Sequence, residues 1–224
     1  MIFDLNFLRR AAMPILLAVS LSACAVGRSE IEINAPVSAP PANARAFAKI
    51  VAVDDLRQFA AAPRDPSIPS LASAADINNK AITGRAVARK RGGMGMALGD
   101  IVLPEGKTVA GLVRAAAQKA LQEKGYAVVD EASPQYANAR PLRIAISDFW
   151  SWLSPGFASL STEFKATLLL NGDALVGPGT VTVNGYVRKE NFVVTESVWT
   201  KIIQEGTDEL SNEIAAKIKP AAGM

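Results

Sequence analysis

The sequence predicts an α+β domain in which a mostly antiparallel sheet carries two amphipathic helices packed on one face. Three observations lead there. Residues 142–147, 163–170 and 181–188 alternate apolar and polar side chains. Turns at Ser154-Pro155-Gly156 and Asn171-Gly172-Asp173 separate these runs, the pattern of an antiparallel meander with one covered face. Two longer segments, 108–124 and 197–218, repeat their apolar residues every three or four positions, as a helix with one buried face does.

Taken in order, the elements have local reasons. Ordered structure is expected to begin at Ala46, where Phe47, Ile50, Val51 and Val53 build a buried strand that ends at Asp54-Asp55-Leu56-Arg57. Pro63, Pro66 and Pro69 mark residues 63–70 as a loop. Between 82 and 103, two strand-like stretches flank Arg91-Gly92-Gly93-Met94-Gly95, which reads as a hairpin with a long tip. The first helix aligns Val109, Leu112, Val113, Ala116, Ala120 and Leu121, with Thr108 as N-cap and Gly125 as the residue that closes it. A short strand over 126–129 precedes the meander. The last helix aligns Trp199, Ile202, Ile203, Leu210, Ile214 and Ile218, and Pro220 stops it.

The N-terminal region has a separate logic. Arg9 and Arg10 precede an eleven-residue apolar run, 11–21, although Asp4 and Pro14 depart from a clean leader. That run matches the core of a secretory signal, about 7–15 residues, and is too short for a membrane-spanning helix of roughly 20. It ends in Leu21-Ser22-Ala23-Cys24, and Cys24 is the single cysteine of the chain. This stretch resembles the bacterial lipobox. The resemblance implies cleavage between Ala23 and Cys24 and acylation of the new N-terminal cysteine. Two or more acyl chains hold firmly, at ~0.8 kcal/mol per buried methylene. Ala25 and Val26 follow the cysteine where an Asp would signal inner-membrane retention, so the resemblance implies the outer membrane, facing the periplasm. The expected organisation is a signal peptide over 1–23, a lipidated cysteine and Pro/Ala-rich tether over 24–45, and a single periplasmic domain over 46–220. Within the tether, Glu30-Ile31-Glu32-Ile33-Asn34 alternates like a short strand that could pair with the domain edge.

Composition narrows the chemistry. The 24 basic and 21 acidic residues are nearly balanced, which argues against nucleic acid as a partner. Histidine is absent, removing the usual general base and the commonest metal ligand. The one thiol is expected to be blocked by lipid, and Asp54 and Asp55, adjacent on a strand, point to opposite faces. No enzyme activity, metal or cofactor is expected, although a Ser–Lys dyad assembled by the fold stays open. Gly106-Lys107-Thr108 imitates the end of a phosphate-binding loop, but the position that loop reserves for its first glycine holds Ile101. It reads as a helix cap, and no nucleotide is expected.

Two clusters are candidates for contact. Arg85, Arg89, Lys90 and Arg91 adjoin Gly92, Gly93, Gly95 and Gly99, either as a basic loop that touches lipid headgroups or an envelope protein, or as a solvated hairpin tip. Asp148-Phe149-Trp150-Ser151-Trp152-Leu153 places aromatics at a strand end, followed by Phe157. Trp150 and Trp152 continue the face of Leu142, Ile144 and Ile146. Trp150 is expected in the core, whereas Trp152 and Phe157 are expected at a partner-contacting edge.

The lipobox, the proline-containing spacer, Val53-Asp54-Asp55-Leu56-Arg57 and Ala120-Leu121-Gln122-Glu123-Lys124-Gly125-Tyr126 together resemble the YajG-type bacterial lipoproteins. Leu142-Arg143-Ile144, Val183-Asn184-Gly185-Tyr186 and the closing amphipathic helix extend the likeness. It implies a fold and an address rather than a mechanism. The expectation is an outer-membrane lipoprotein, held by membrane lipid through acylated Cys24, that binds another envelope component as a non-enzymatic accessory or scaffold. The alternative is an auxiliary lipoprotein of a lipid-transporting ABC system, favoured by a large apolar cavity between helices and sheet.

Overall fold

The computed structural model describes residues 27–221, apart from 43, 45, 93–95 and 157–158. Among these, eight strands and four helices follow one another as β1 (Ser29–Glu30), β2 (Ala46–Asp55), α1 (Lys80–Thr83), β3 (Ala86–Arg91), β4 (Ala97–Val102), α2 (Val109–Glu123), β5 (Tyr126–Val128), β6 (Arg140–Pro155), β7 (Leu160–Gly172), α3 (Asp173–Val176), β8 (Gly177–Asn191) and α4 (Glu196–Lys217).

The long strand β6 is the spine of the sheet. One of its edges pairs antiparallel with β7 from Arg143 to Pro155, and β7 pairs antiparallel with β8, as the alternating pattern and turns predicted. The other edge is divided between two branches. β2 lies parallel to it as far as Asp55 opposite Ile146, and then β3 takes over, parallel, with Ala88 opposite Ser151. β2 carries β5 in parallel on its far side, while β3 carries β4 antiparallel and β4 carries β1 parallel.

Four of the seven pairings are parallel. The sheet is therefore mixed and, by strand pairs, mostly parallel, which corrects the expectation of a mostly antiparallel one. The reason is physical. Hairpins announce themselves through local turn residues, whereas parallel partners meet only after a long crossover. Here α2 lies over β2 and β5 and provides the crossover between them.

α2 spans the expected residues because both ends are capped. Thr108 Oγ accepts from the Gly111 N–H at 3.0 Å, and Gly125 closes the helix at φ +85°. Thr108→Ala should lower the unfolding free energy by about 1 kcal/mol, read as a lower urea midpoint at unchanged slope. α2 packs beside α4, where the Ser211 hydroxyl donates to the Ala116 carbonyl at 3.1 Å. Both helices face one cluster built on Leu142, Ile144, Ile146, Phe149, Phe164 and Leu168. Phe149 and Phe164 meet edge to face with centroids 4.9 Å apart. Gly206 of α4 backs directly onto this pair, and a Cβ there would overlap the Phe164 ring.

A bulge at Ser147 changes which face later side chains occupy. Ile146 opposes Leu168 and Asp148 opposes Thr167, so Ser147 is the extra residue. Before it the even-numbered residues face the helices; after it Phe149 does. Trp150 and Trp152 turn to the opposite face and form a second cluster with Leu71, Ala86 and Val102. Phe59 packs on Trp150 edge to face at 5.8 Å, and Trp150 Nε1 donates to the Pro66 carbonyl at 3.2 Å. The proline-rich loop thus covers this second cluster. The expectation that both tryptophans extend the Leu142 face is corrected, because one bulge residue reverses the alternation.

Between the point where β2 leaves β6 and the point where β3 joins it, the edge of β6 lacks a strand partner. Arg57 fills this fork with a fully buried guanidinium. It donates to the carbonyls of Thr83 at 2.7 Å, Ala86 at 2.7 Å and Phe149 at 3.0 Å, and makes a two-pronged ion pair with Asp55, each contact 2.8 Å. One side chain therefore joins β2, α1, β3 and β6.

Candidate functional site

The pairings bring five chain ends together at one end of the sheet: the finish of β3, β6 and β8 and the start of β4 and β7. A cleft of about 340 Å³ opens here, lined by Lys90, Leu98, Leu153, Leu160, Val194 and Trp199 among others. The link from β8 to α4 forms one wall. Phe192 and Val193 in that link are 90% and 70% exposed, and Met96 at the start of the facing hairpin strand is 60% exposed. Val194 packs against the main core, so the link is held at its C-terminal side.

The same end receives the N-terminal segment. The Gly27 N–H donates to the Leu98 carbonyl at 2.6 Å, and β1 then runs alongside β4 with Ser29 opposite Ile101. The close approach needs a glycine at 99, whose φ is +151° and whose Cβ would overlap the Gly27 backbone. Ile31 and Ile33 enter the main core, and the Ile31 N–H donates to the Val102 carbonyl at 2.9 Å, so the alternating stretch 30–34 does meet the domain edge. Arg28 pairs with Asp76 at 2.7 Å and Asp100 at 3.2 Å, Glu30 with Arg85, and Glu32 with Lys107. Lys90 Nζ donates to Ser29 Oγ at 2.6 Å and stands 4.0 Å from Glu196, strapping the N-terminal strand to the first turn of α4.

The basic run 89–91 divides between the two faces of β3. Lys90 and part of Arg91 line the cleft, while the guanidinium groups of Arg89 and Arg91 reach the proline loop. Arg91 donates to the Pro63 carbonyl at 2.9 Å, and Arg89 approaches Ser70 Oγ at 3.3 Å. Arg89 is buried, and its Nε has no hydrogen-bond partner among the described residues. Burial pulls the Arg91 guanidinium below its ordinary pKa, and the neighbouring charge of Arg89 adds to the effect. Neither proposed role of the run, a free basic patch or a solvated tip, describes Arg89: it is a packing residue that holds the loop. Trp152 is likewise buried, its Nε1 donating to Ser154 Oγ at 3.2 Å, which corrects its placement at a contacting edge. Ala23, Cys24 and Phe157 lie outside the described residues.

The exposed side chains at this end escaped the sequence reading. The available signal was Phe192-Val193-Val194 between polar Asn191 and Thr195-Glu196. An apolar triplet is unusual where turn chemistry favours Gly, Pro, Asn, Asp and Ser.

No protein-family model matches the chain, and no curated protein matches it. Several solved structures are weakly similar to it. A Xanthomonas campestris protein of the DUF330 family is 8% identical, with a TM-score of 0.42 over 84% of this chain and 90% of that one. A neuraminyllactose-binding hemagglutinin homolog from Helicobacter pylori is 11% identical, with a TM-score of 0.36 over 84% of this chain and 91% of that one. A lipoprotein from Neisseria meningitidis is 13% identical, with a TM-score of 0.28 over 74% of this chain and 99% of that one. At such scores and identities the likeness is one of coarse shape and carries no function to this chain.

Proposed function

We propose that this protein is an outer-membrane lipoprotein, tethered through an acylated Cys24, whose periplasmic domain works as a non-enzymatic accessory binding another envelope component. The observation that carries the reading is the position of Gly27. It is bonded to the sheet only three residues after Cys24, so a lipid on that cysteine would hold a folded domain directly at a membrane surface. The lipobox, the absence of histidine from the sequence and the resemblance to YajG-type lipoproteins point the same way. The auxiliary-subunit reading, with a lipid held between helices and sheet, is less well supported. Gly206 and Phe164 touch so closely that a methyl group has no room between them.

The test is intact-mass analysis and membrane fractionation of the full chain beside Cys24→Ala. The expected result is a mature chain beginning at Cys24 with added acyl mass, recovered with outer membranes, and an unacylated variant that loses this location. An unmodified cysteine, or identical fractionation of both chains, would overturn the anchor. Crosslinking of the native chain should enrich one envelope protein. Enrichment of phospholipid with inner-membrane transport subunits would instead favour the auxiliary reading.

A further inference from the structure

We propose that the end of the sheet bearing Met96, Phe192 and Val193 rests on the bilayer itself, with these side chains inserted among the lipids beside the anchor. The inference deepens the lipoprotein reading and rests on Cys24 being the acylated residue.

Position comes first. Three residues span at most about 10 Å of extended chain, so an acyl chain on Cys24 enters the bilayer within that distance of Gly27. Gly27 is bonded to Leu98, and Leu98 lines the cleft whose other wall is Val194 to Glu196. Phe192 and Val193 immediately precede that wall, and Met96 stands two residues before Leu98. The anchor and the exposed apolar side chains therefore share one end of the molecule.

Chemistry agrees with position. Phe192, Val193 and Met96 are held in water by the domain alone, although the link that bears Phe192 and Val193 is fixed by Val194 in the core. Apolar side chains grouped at one end of a fold mark a contact surface, while single scattered ones do not. Membrane binding grows with the apolar area buried in the headgroup–acyl boundary, so Phe192 and Val193 inserted there would add to the hold of the anchor. Of the cations near the link, Lys189 pairs with Glu205 at 2.9 Å and Lys90 is tied to Ser29 and Glu196, while Lys201 on the first turns of α4 is exposed and free to meet an anionic headgroup. Apolar contact is then the main attraction, with Lys201 adding to it on an anionic surface. Lys90 stands between the β8–α4 link and the N-terminal strand, bonded to Ser29 and 4.0 Å from Glu196, so the two holds are neighbours.

The experiment places a reporter at the most exposed position. Phe192→Trp in the full acylated chain is reconstituted into phosphatidylethanolamine–phosphatidylglycerol vesicles with and without brominated acyl chains, and flotation is scored in parallel. The three native tryptophans are buried, but Trp199 lines the cleft, so the unsubstituted chain in the same vesicles supplies the background to subtract. The expected result is a blue-shifted emission that brominated lipid quenches and aqueous iodide does not. If the chain floats but Trp emission from position 192 answers only to iodide, the docking is overturned and the anchor stands. Protection from both quenchers identifies a protein surface instead and also overturns the docking. If the chain does not float, the anchor and the docking that rests on it are both overturned.

Discussion

Arg57→Met is expected to destabilise the domain by about 3 kcal/mol or more, since each buried carbonyl left without its donor costs roughly 1–3 kcal/mol. Methionine fills much of the space but donates nothing. The carbonyls of Thr83, Ala86 and Phe149 would each lose a charged donor, in a place where β2 and β3 leave the edge of β6 without a strand. Buried acceptors stripped of their donor lose hydration without compensation. Asp55 suffers less, because its carboxylate is partly exposed and can turn to water. Urea unfolding gives the test: the midpoint should fall strongly, and Arg57→Lys should recover little of it, since an ammonium cannot reach three carbonyls and a two-pronged carboxylate at once. A shift of less than about 1 kcal/mol, the scale of an exposed ion pair, would mean that the fork does not depend on this side chain.

Gly206→Ala should also destabilise, and here the sign is the diagnostic. On an exposed helix face, alanine in place of glycine stabilises by about 1 kcal/mol. At position 206 the new methyl overlaps the Phe164 ring, so α4 must lift or the Phe149–Phe164 pair must tilt. Overpacking of this kind costs about 1–3 kcal/mol, occasionally more, and it should exceed the gain in helix propensity. Phe164→Leu removes ring atoms from the collision. The double variant should therefore lose less than the two single losses added together, as residues in direct contact do. A stabilised Gly206→Ala would show that α4 sits farther from β7 than the packing described above.

What could be read from the sequence was local. Thr108 and Gly125 bracket α2 because capping chemistry lies within a few residues of each helix end. The β6–β7–β8 meander follows from alternation and turns, and the glycine-rich hairpin between β3 and β4 likewise. What could not be read was decided by residues far apart in the chain. The parallel pairing of β2 with β6 joins residues about ninety positions apart, and no turn signals it. Ser147 carries no mark of a bulge, yet that one extra residue sends Trp150 and Trp152 to the far face. Arg57 appeared only as the end of a strand, since its partners come from three other segments. The candidate site was legible only in its neighbourhood. Lys90 and Arg91 do line it, while Arg89 and Trp152 serve packing, because burial depends on the face each residue takes in the finished sheet.

The short strand β1 has a mechanical meaning as well. Any force carried along the residues before Gly27 reaches the domain first through β1. There it is shared among the ladder to β4, the ion pairs of Arg28, Glu30 and Glu32, the Lys90 strap and the buried side chains of Ile31 and Ile33. These attachments lie side by side along the strand. A tug directed along it strains them all in shear, whereas a tug away from the sheet edge would part them one after another. Two residues of ladder alone would make a weak mooring; with the salt bridges and the core sharing the load, residues 28–33 form a bracket able to bear a pull on the chain before them.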